Sequence, residues 1–426
     1  MKMKGNVPMN KISAKIKRSA AFLLVLSSLF LLGCGKTGGR ATSDEKISKD
    51  SELVLDNVPD ESAATPPDKE IVHFAAAGDN IIHEAVFTDA KNVASVYASE
   101  TGKRVEYRFA DMYEGVADVI KSADLAYVNH ETPVAGKSFG ISGYPDFNAP
   151  EEVGDDLSEV GFDIINIANN HMLDMGAKGY ENSIKYWKEK GEEKNLTVIG
   201  GYTKSDYDNI RYVTANGIKI ALLSYTTLIN YGHKNDIPAG SDLIVPYANE
   251  SDMRRQVALA KDGGADAIVV AMHWGAEDDF KPNAEQKKYA KILADLGVNV
   301  ILGSHSHTLQ PVEWIEGENG NKTLCAYSLG NLISTMYYSY YMVGGILTFD
   351  LVKTEDGVSV ENPILVPTMC YYSMTRDSLK IYKLEDFTDG LVASHGSQLK
   401  GKFTMNTLYG YVKDTIDKEF LTDKFK

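Results

Sequence analysis

The sequence predicts an α/β fold, and three observations carry that prediction. From residue 71 onward, short apolar runs of strand type alternate with amphipathic helical stretches, the pattern of sheets covered by helices. Several of these runs stop abruptly in residues with metal-binding or acid–base chemistry, at the position where open α/β sheets place their ligands. Late in the chain, strands follow one another without helices between them, which adds a β-rich half completing a sandwich.

Taken in order, 71–77 (Ile-Val-His-Phe-Ala-Ala-Ala) reads as a buried strand closed by Gly78-Asp79. A helical stretch at 109–121 precedes a strand at 124–128 that ends in Asn129-His130-Glu131. A loop at 136–150 is rich in Gly, Pro and aromatic residues, including Tyr144 and Phe147. A helix at 150–159 leads to a strand at 162–168, which breaks at Asn169-Asn170-His171 and resumes as a helix at 180–190, with Asp174 in the intervening turn. Asn-Asn-His either caps that helix or serves a site. Strands follow at 196–199 and 218–224, then a charged amphipathic helix at 251–262. The strand at 267–272 ends in His273-Trp274-Gly275. After a helix at 284–296, the strand at 298–302 ends in Gly303-Ser304-His305-Ser306-His307. Strands at 312–314, 323–328 and 345–352 close the main domain, 71–352. Residues 353–426 form a C-terminal extension that either completes the domain or meets a partner.

Composition narrows the class. A chain of 426 residues with 43% hydrophobic and 10% aromatic content has enough material for a large core. Residues 1–18 carry six basic side chains and no acid, and 20–32 is an uncharged, mostly apolar run. That run is short for a membrane span and suits a signal peptide. It ends in Leu31-Leu32-Gly33-Cys34, which resembles a bacterial lipobox. Residues 1–33 are therefore expected to be cleaved and Cys34 lipidated, anchoring the protein at the extracytoplasmic face of the cell membrane. Residues 35–70 hold nine Asp or Glu and no aromatic residue, and read as a disordered tether. The net charge is −15, and loss of the six basic residues of 1–33 leaves −21. Nucleic acid, which needs a basic surface, is excluded as a partner. Cys325 and Cys370 are expected to be buried free thiols.

Collected by position, the strand ends supply Asp79, Glu131, Asn170 with His171, His273, and His305 with His307. A lone histidine is more often a satisfied core or surface residue, but so many ligand types at one class of position point to a shared site. A bridging carboxylate with imidazole and oxygen ligands is what a pair of divalent ions requires, and a nearby imidazole can move a proton to the leaving group. Gly78-Asp79, Asn129-x-Glu131, Asn169-Asn170-His171-x-x-Asp174-x-Gly176, His273-Trp274-Gly275-x-Glu277, Gly303-x-His305-x-His307 and Ser328-Leu329-Gly330-Asn331 occur in this order. In this the chain resembles the CapA family of poly-γ-glutamate capsule biosynthesis, related to calcineurin-like metallophosphoesterases.

That resemblance implies a four-layer α/β sandwich of the metallo-dependent phosphatase type, with one or two divalent ions (Mn, Zn, Fe or Mg). It implies Asp79 and His307 as ligands of one metal and Asn170, His273 and His305 as ligands of the other. Glu131 would bridge, and His171 and Asp174 are the catalytic candidates. Asn169, Trp274, Glu277, Asn331 and Tyr144 are candidates for supporting the ligands or meeting substrate. Two departures stand out: Asp79 is followed by Asn80-Ile81 where metallophosphatases have Asp-x-His, and Glu131 stands where they have Asp. His83 comes two positions late to supply the missing imidazole. Three functions follow as expectations: a metal-dependent hydrolase or transferase acting on γ-glutamyl polymer, a non-catalytic polymer-binding component acting with other capsule-synthesis subunits, or a cell-envelope phosphoesterase.

Overall fold

The computed structural model describes residues 70–233 and 236–426. The expected signal peptide, lipidated Cys34 and tether up to residue 69 lie outside the described residues. Among those described, no helix is long and apolar enough to cross a membrane.

In chain order the first half comprises β1 (Glu70–Asn80), α1 (Glu84–Thr101), α2 (Ala117–Lys121), β2 (Leu125–His130), α3 (Glu152–Val160), β3 (Ile164–Asn166), α4 (Gly176–Lys194), β4 (Thr197–Ile199), β5 (Tyr202–Thr203), β6 (Arg211–Ala215), β7 (Ile218–Thr226) and β8 (Leu243–Ile244). The second half comprises α5 (Glu250–Asp262), β9 (Ala267–His273), α6 (Ala284–Asp295), β10 (Val300–Ser304), β11 (Val312–Glu316), β12 (Lys322–Ala326), β13 (Asn331–Ile333), β14 (Val343–Thr354), β15 (Gly357–Tyr371), β16 (Lys380–Lys383), α7 (Asp389–Ser394) and α8 (Met405–Lys413).

Two sheets carry the molecule. The first runs β16-β15-β14-β1-β2-β3-β4, with β13 also pairing with β1, and the second runs β11-β12-β10-β9-β7-β6. β1 to β4 are mutually parallel, as are β7, β9, β10 and β12. Side-chain alternation decides the layering. Ile220 and Leu222 of β7 join Phe74, Ala76 and Leu347 of the first sheet in one core, whereas Ala221 and Leu223 turn to Met253 and Val257 of α5 and Leu293 of α6. α1 to α4 pack on the outer face of the first sheet through Val86, Ala90, Ile120, Leu157 and Trp187. The layers are helix, sheet, sheet, helix, a four-layer α/β sandwich. β1 is buried on both faces from Phe74 to Asn80, as a central strand of such a sheet must be.

Two differences from the sequence reading bear on the packing of the first sheet. An 18-residue helix, α1, fills the stretch after β1 that carried no helix signal. Its buried stripe is Val86, Asp89, Ala90 and Ala94, too thin and too polar to register as an apolar face. Asp89 accepts the backbone N–H groups of Ser378 and Leu379 (3.1 and 2.8 Å). The expected helix at 109–121 is instead a 3-10 turn (Ala110–Tyr113) and the short α2. Gly115 separates them, and a Cβ there would lie 2.3 Å from the Ile381 carbonyl oxygen. The sheet continues past residue 352, so residues 353–426 complete the domain. β15 pairs along β14 from Val343↔Met369 to Thr354↔Gly357, and Leu365, Leu408, Phe420 and Phe425 sit in the main core. Cys325 and Cys370 are buried and free.

Candidate metal centre

Parallel strands from both sheets end at one edge of the sandwich, and the site is built there. Asp79, Asn129 and Asn166 lie in register across β1, β2 and β3. Asn129 donates to Asp79 Oδ1 (2.8 Å), Asn166 donates to Asn129 Oδ1 (2.8 Å), and Ser224 of the second sheet donates to Asn166 Oδ1 (2.5 Å). This buried row holds the Asp79 carboxylate in one orientation and ties the two sheets together. Asp79 Oδ2 is left facing the backbone N–H of His305 (3.3 Å) and His307 Nδ1 (3.1 Å).

The second sheet supplies the imidazoles. His273 ends β9, with Nδ1 2.8 Å from Ser304 Oγ and Nε2 2.9 Å from Asn170 Oδ1. The turn after β10 places His305 at φ +96° and His307 at φ +57°. This is backbone that non-glycine residues seldom adopt and that tends to occur at functional sites. The His305 ring lies 4.7 Å from that of His273 and 5.9 Å from that of His307, centre to centre. Burial and the surrounding imidazoles hold His273 well below the usual histidine range and His305 down to about 3, so both are neutral and able to coordinate. Burial alone would also lower His307, but the Glu131 and Asp79 carboxylates beside it bring it up to about 10.

Glu131 shows that this cluster fits a cation. It is fully buried, yet neither carboxylate oxygen has a hydrogen-bond partner. Its nearest basic atoms are His307 Nε2 at 3.6 Å and His273 Nε2 at 3.9 Å. Burial, and then the Asp79 charge, push its carboxyl well above the ordinary carboxylate range. A buried carboxylate without partners is costly, and a bound cation removes that cost. Glu131 joins two sets of donor atoms lying within 4.8 Å of one another: Glu131, His305 and His307, and Asp79, Glu131 and His273. It is common to both, as a bridging ligand must be.

Beside the cluster, His171 Nδ1 lies 2.7 Å from Asp174 Oδ2, which also accepts the Phe147 N–H (2.8 Å). With Asp174 accepting from Nδ1, the other ring nitrogen is left for chemistry. Phe147 packs edge-on against the ring at 4.7 Å. Asn170 is held from its other side by Asn230 Oδ1 (2.9 Å). Asn169 fastens the loop, donating to the His130 carbonyl (3.1 Å) and accepting the His171 N–H (3.0 Å). The following helix begins at Gly176 with Met175 at its N-cap and no side-chain cap bond, so the triplet does not cap it.

Asn331 opens β13 with Oδ1 3.1 Å from His307 Nδ1, and orients that ring. Trp274 turns the other way, into the core under α5 and α6, and donates to the Tyr327 carbonyl (2.9 Å). It does not touch the ligands. Glu277 and Tyr144 are exposed and line a cleft of about 660 Å³ that opens beside the cluster. His130 also turns away, bonded to Asn80 (2.9 Å) and packed on Trp187.

Sequence spacing underrates His83. It lines the cleft and lies within electrostatic reach of His307 and His171; desolvation first, then these charges and Arg376, lower it to about 3. Its Nδ1 accepts the Thr335 N–H (3.3 Å), leaving Nε2–H as a donor. The amide row of Asn166 and Ser224, and Asn230, were also missed. No spacing in the sequence marks them, because they act through neighbours across strands and loops.

Two sheets with helices on both outer faces, and carboxylates and imidazoles gathered where the strand ends meet, define a four-layer α/β sandwich with a candidate metal centre. The chain belongs to the bacterial capsule synthesis protein family PGA_cap, whose profile matches residues 73–336. Its similar relatives include capsule biosynthesis protein CapA of Bacillus anthracis, 33% identical over 236 residues, covering 52% of this chain and 53% of that protein. PGA biosynthesis protein CapA of Bacillus subtilis is 27% identical over 325 residues, covering 70% and 80% respectively. The match thus spans about half the length of the first relative. Among solved structures, the calcineurin-like phosphoesterase YfkN of Bacillus subtilis aligns at 16% identity over 69% of this chain and 91% of that chain, with a TM-score of 0.39.

Proposed function

We propose that this capsule-family chain is a metal-dependent hydrolase or transferase acting on the γ-glutamyl polymer of poly-γ-glutamate biosynthesis or export. It would work at the extracytoplasmic face of the cell membrane, held there by a lipid on Cys34 and alongside other capsule-synthesis subunits. The observation that carries the catalytic reading is Glu131, a buried carboxylate without hydrogen-bond partners beside the neutral imidazoles of His273 and His305. A scaffold has no reason to keep so costly a group. One or two divalent ions (Mn, Zn, Fe or Mg) held by Asp79, Glu131, Asn170, His273, His305 and His307 would supply Lewis-acid chemistry.

The chain's own residues do the rest. Asp79 is oriented by its amide row, and Asn331 by its contact with His307 fixes that ring. Asp174 positions His171, whose free nitrogen gives a proton to the leaving group or takes one from the attacking nucleophile. Phe147 shields the His171 ring from water on one side.

The test combines metal analysis with a variant. The purified protein should contain one or two equivalents of a divalent metal. His171→Ala should keep that metal while losing roughly 10²–10⁴-fold of its activity on γ-glutamyl polymer. A metal-free protein, or undiminished polymer production in cells carrying His171→Ala, would overturn the enzymatic reading in favour of a polymer-binding component. Activity on phosphate esters alone would replace the substrate.

A further inference from the structure

The cleft beside the metal centre contains a cation that the chain itself leaves without a counter-ion. Arg108, Arg211, Arg254 and Arg255 each meet a carboxylate. Among the described residues Arg376 meets none, and neither does Arg104, which is exposed and lies outside the cleft, in a chain of net charge −15. Its Nη2 donates to the Thr335 carbonyl (2.5 Å) and hydroxyl (2.8 Å), while its Nε is buried with no partner. The guanidinium lies over the rings of Tyr337 (4.7 Å) and Tyr372 (5.8 Å). Its backbone is in the left-handed region at φ +62°, fixed by the bond from its N–H to the Ser373 carbonyl (2.8 Å). The group is therefore held in place at the cleft wall by contacts that leave its charge uncompensated.

A second cation shares the same ring. Lys400 Nζ lies 4.8 Å from the centre of Tyr337, is exposed, and pairs with no carboxylate among the described residues. Thr335, which anchors Arg376, also donates its N–H to His83, and His83 reaches back towards His307 and His171. The order from the centre outward is metal ligands, His83, Arg376, Lys400.

We propose that Arg376 and Lys400 form a carboxylate-binding track that holds successive acidic groups of the γ-glutamyl chain next to the metal centre. The assignment rests on the polymer substrate proposed above and specifies how an acidic protein grips it. A net-negative surface repels a polyanion everywhere except at focused positive points. A guanidinium takes a carboxylate through charge-assisted hydrogen bonds, here from the Nη1 that Thr335 leaves free, and an ammonium on a flexible stem follows the next one. Both residues come from the C-terminal 353–426 segment, which gives that segment a part in substrate binding as well as in the fold.

The test measures binding of a short γ-linked glutamate oligomer to the full, metal-loaded protein by calorimetry. Arg376→Gln and Lys400→Gln should each weaken binding by roughly tenfold, with unchanged metal content and a shallower dependence on salt. Arg376→Lys should recover part of the loss. Because Lys400 is exposed, its variant remains informative even if Arg376→Gln folds poorly. Unchanged affinity in Lys400→Gln and in a folded Arg376→Gln would overturn the track while leaving the enzyme reading intact. An unmodified metal-loaded protein that binds no oligomer would remove the γ-glutamyl reading and the track with it. Tighter binding of inorganic polyphosphate, lost in the same variants, would overturn the carboxylate assignment.

Discussion

At the scale of single residues, Glu131 is the group on which the site turns. Replacing it with Gln keeps the shape and removes the carboxylate shared by both donor sets. Glu131→Gln should therefore abolish the stabilisation that added metal gives the unmodified chain. Differential scanning calorimetry with and without chelator reads this. A variant that still gained stability from metal would show that Glu131 is not a ligand. The candidate ligands stood out in the sequence because each is a polar residue at or soon after the end of an apolar strand, where packing alone seldom calls for such a side chain. His83 was not, because counting residues from Asp79 ignores the turn at Ile81 and Ile82 that brings it back to the cleft. Trp274 adjoins His273 in sequence, but its side chain packs into the core under α5 and α6.

Among the elements, the strands were far easier to read than α1. Central strands of this sandwich are apolar on both faces and announce themselves, whereas α1 buries small residues and an aspartate whose partners, Ser378 and Leu379, lie almost three hundred positions away. Such long-range satisfaction leaves no local trace. The C-terminal segment offers a test of another buried polar group. His395 donates from Nε2 to the Cys370 carbonyl (2.9 Å) and accepts the Ser397 N–H at Nδ1 (3.0 Å), among Tyr371, Tyr372, Phe387 and Phe403. Burial lowers it to about 4. The folded state then binds fewer protons than the unfolded one between the ordinary histidine value and pH 4. The stability it supports is present above about pH 6.5 and falls as the pH drops towards 4, by roughly 3 kcal/mol. Denaturant titrations across that range should show this loss in the unmodified protein, and a flatter profile in His395→Gln. Equal slopes would assign the acid sensitivity to other groups.

At the scale of the whole molecule, the division between a main domain and a C-terminal extension does not correspond to a division in the core. β15 covers β14 along its length, and Leu408, Phe420 and Phe425 pack with residues of β1 and β2. A chain ending at residue 352 should fail to fold, appearing in the insoluble fraction or lacking the cooperative thermal transition of the complete protein. A soluble, cooperatively melting 70–352 fragment would contradict this. The alternation of strands and helices made the α/β class readable, and the ordered motifs made the sandwich readable. The role of residues 353–426 was not, because a strand such as β15, polar on one side over much of its length, carries little signal of its own.

The ligands span positions 79 to 307, and the two ends of that span meet directly, Asp79 with His305 and His307, 226 and 228 positions apart. No partial chain that stops before β10 can hold the complete set. An ion taken up at this centre is therefore captured only after the two sheets have closed on each other. Divalent ions differ more in their local availability than in what such a donor set would refuse. An ion held here would then be set by the fluid in which folding finishes, and the same polypeptide matured in a different compartment would be expected to carry a different one.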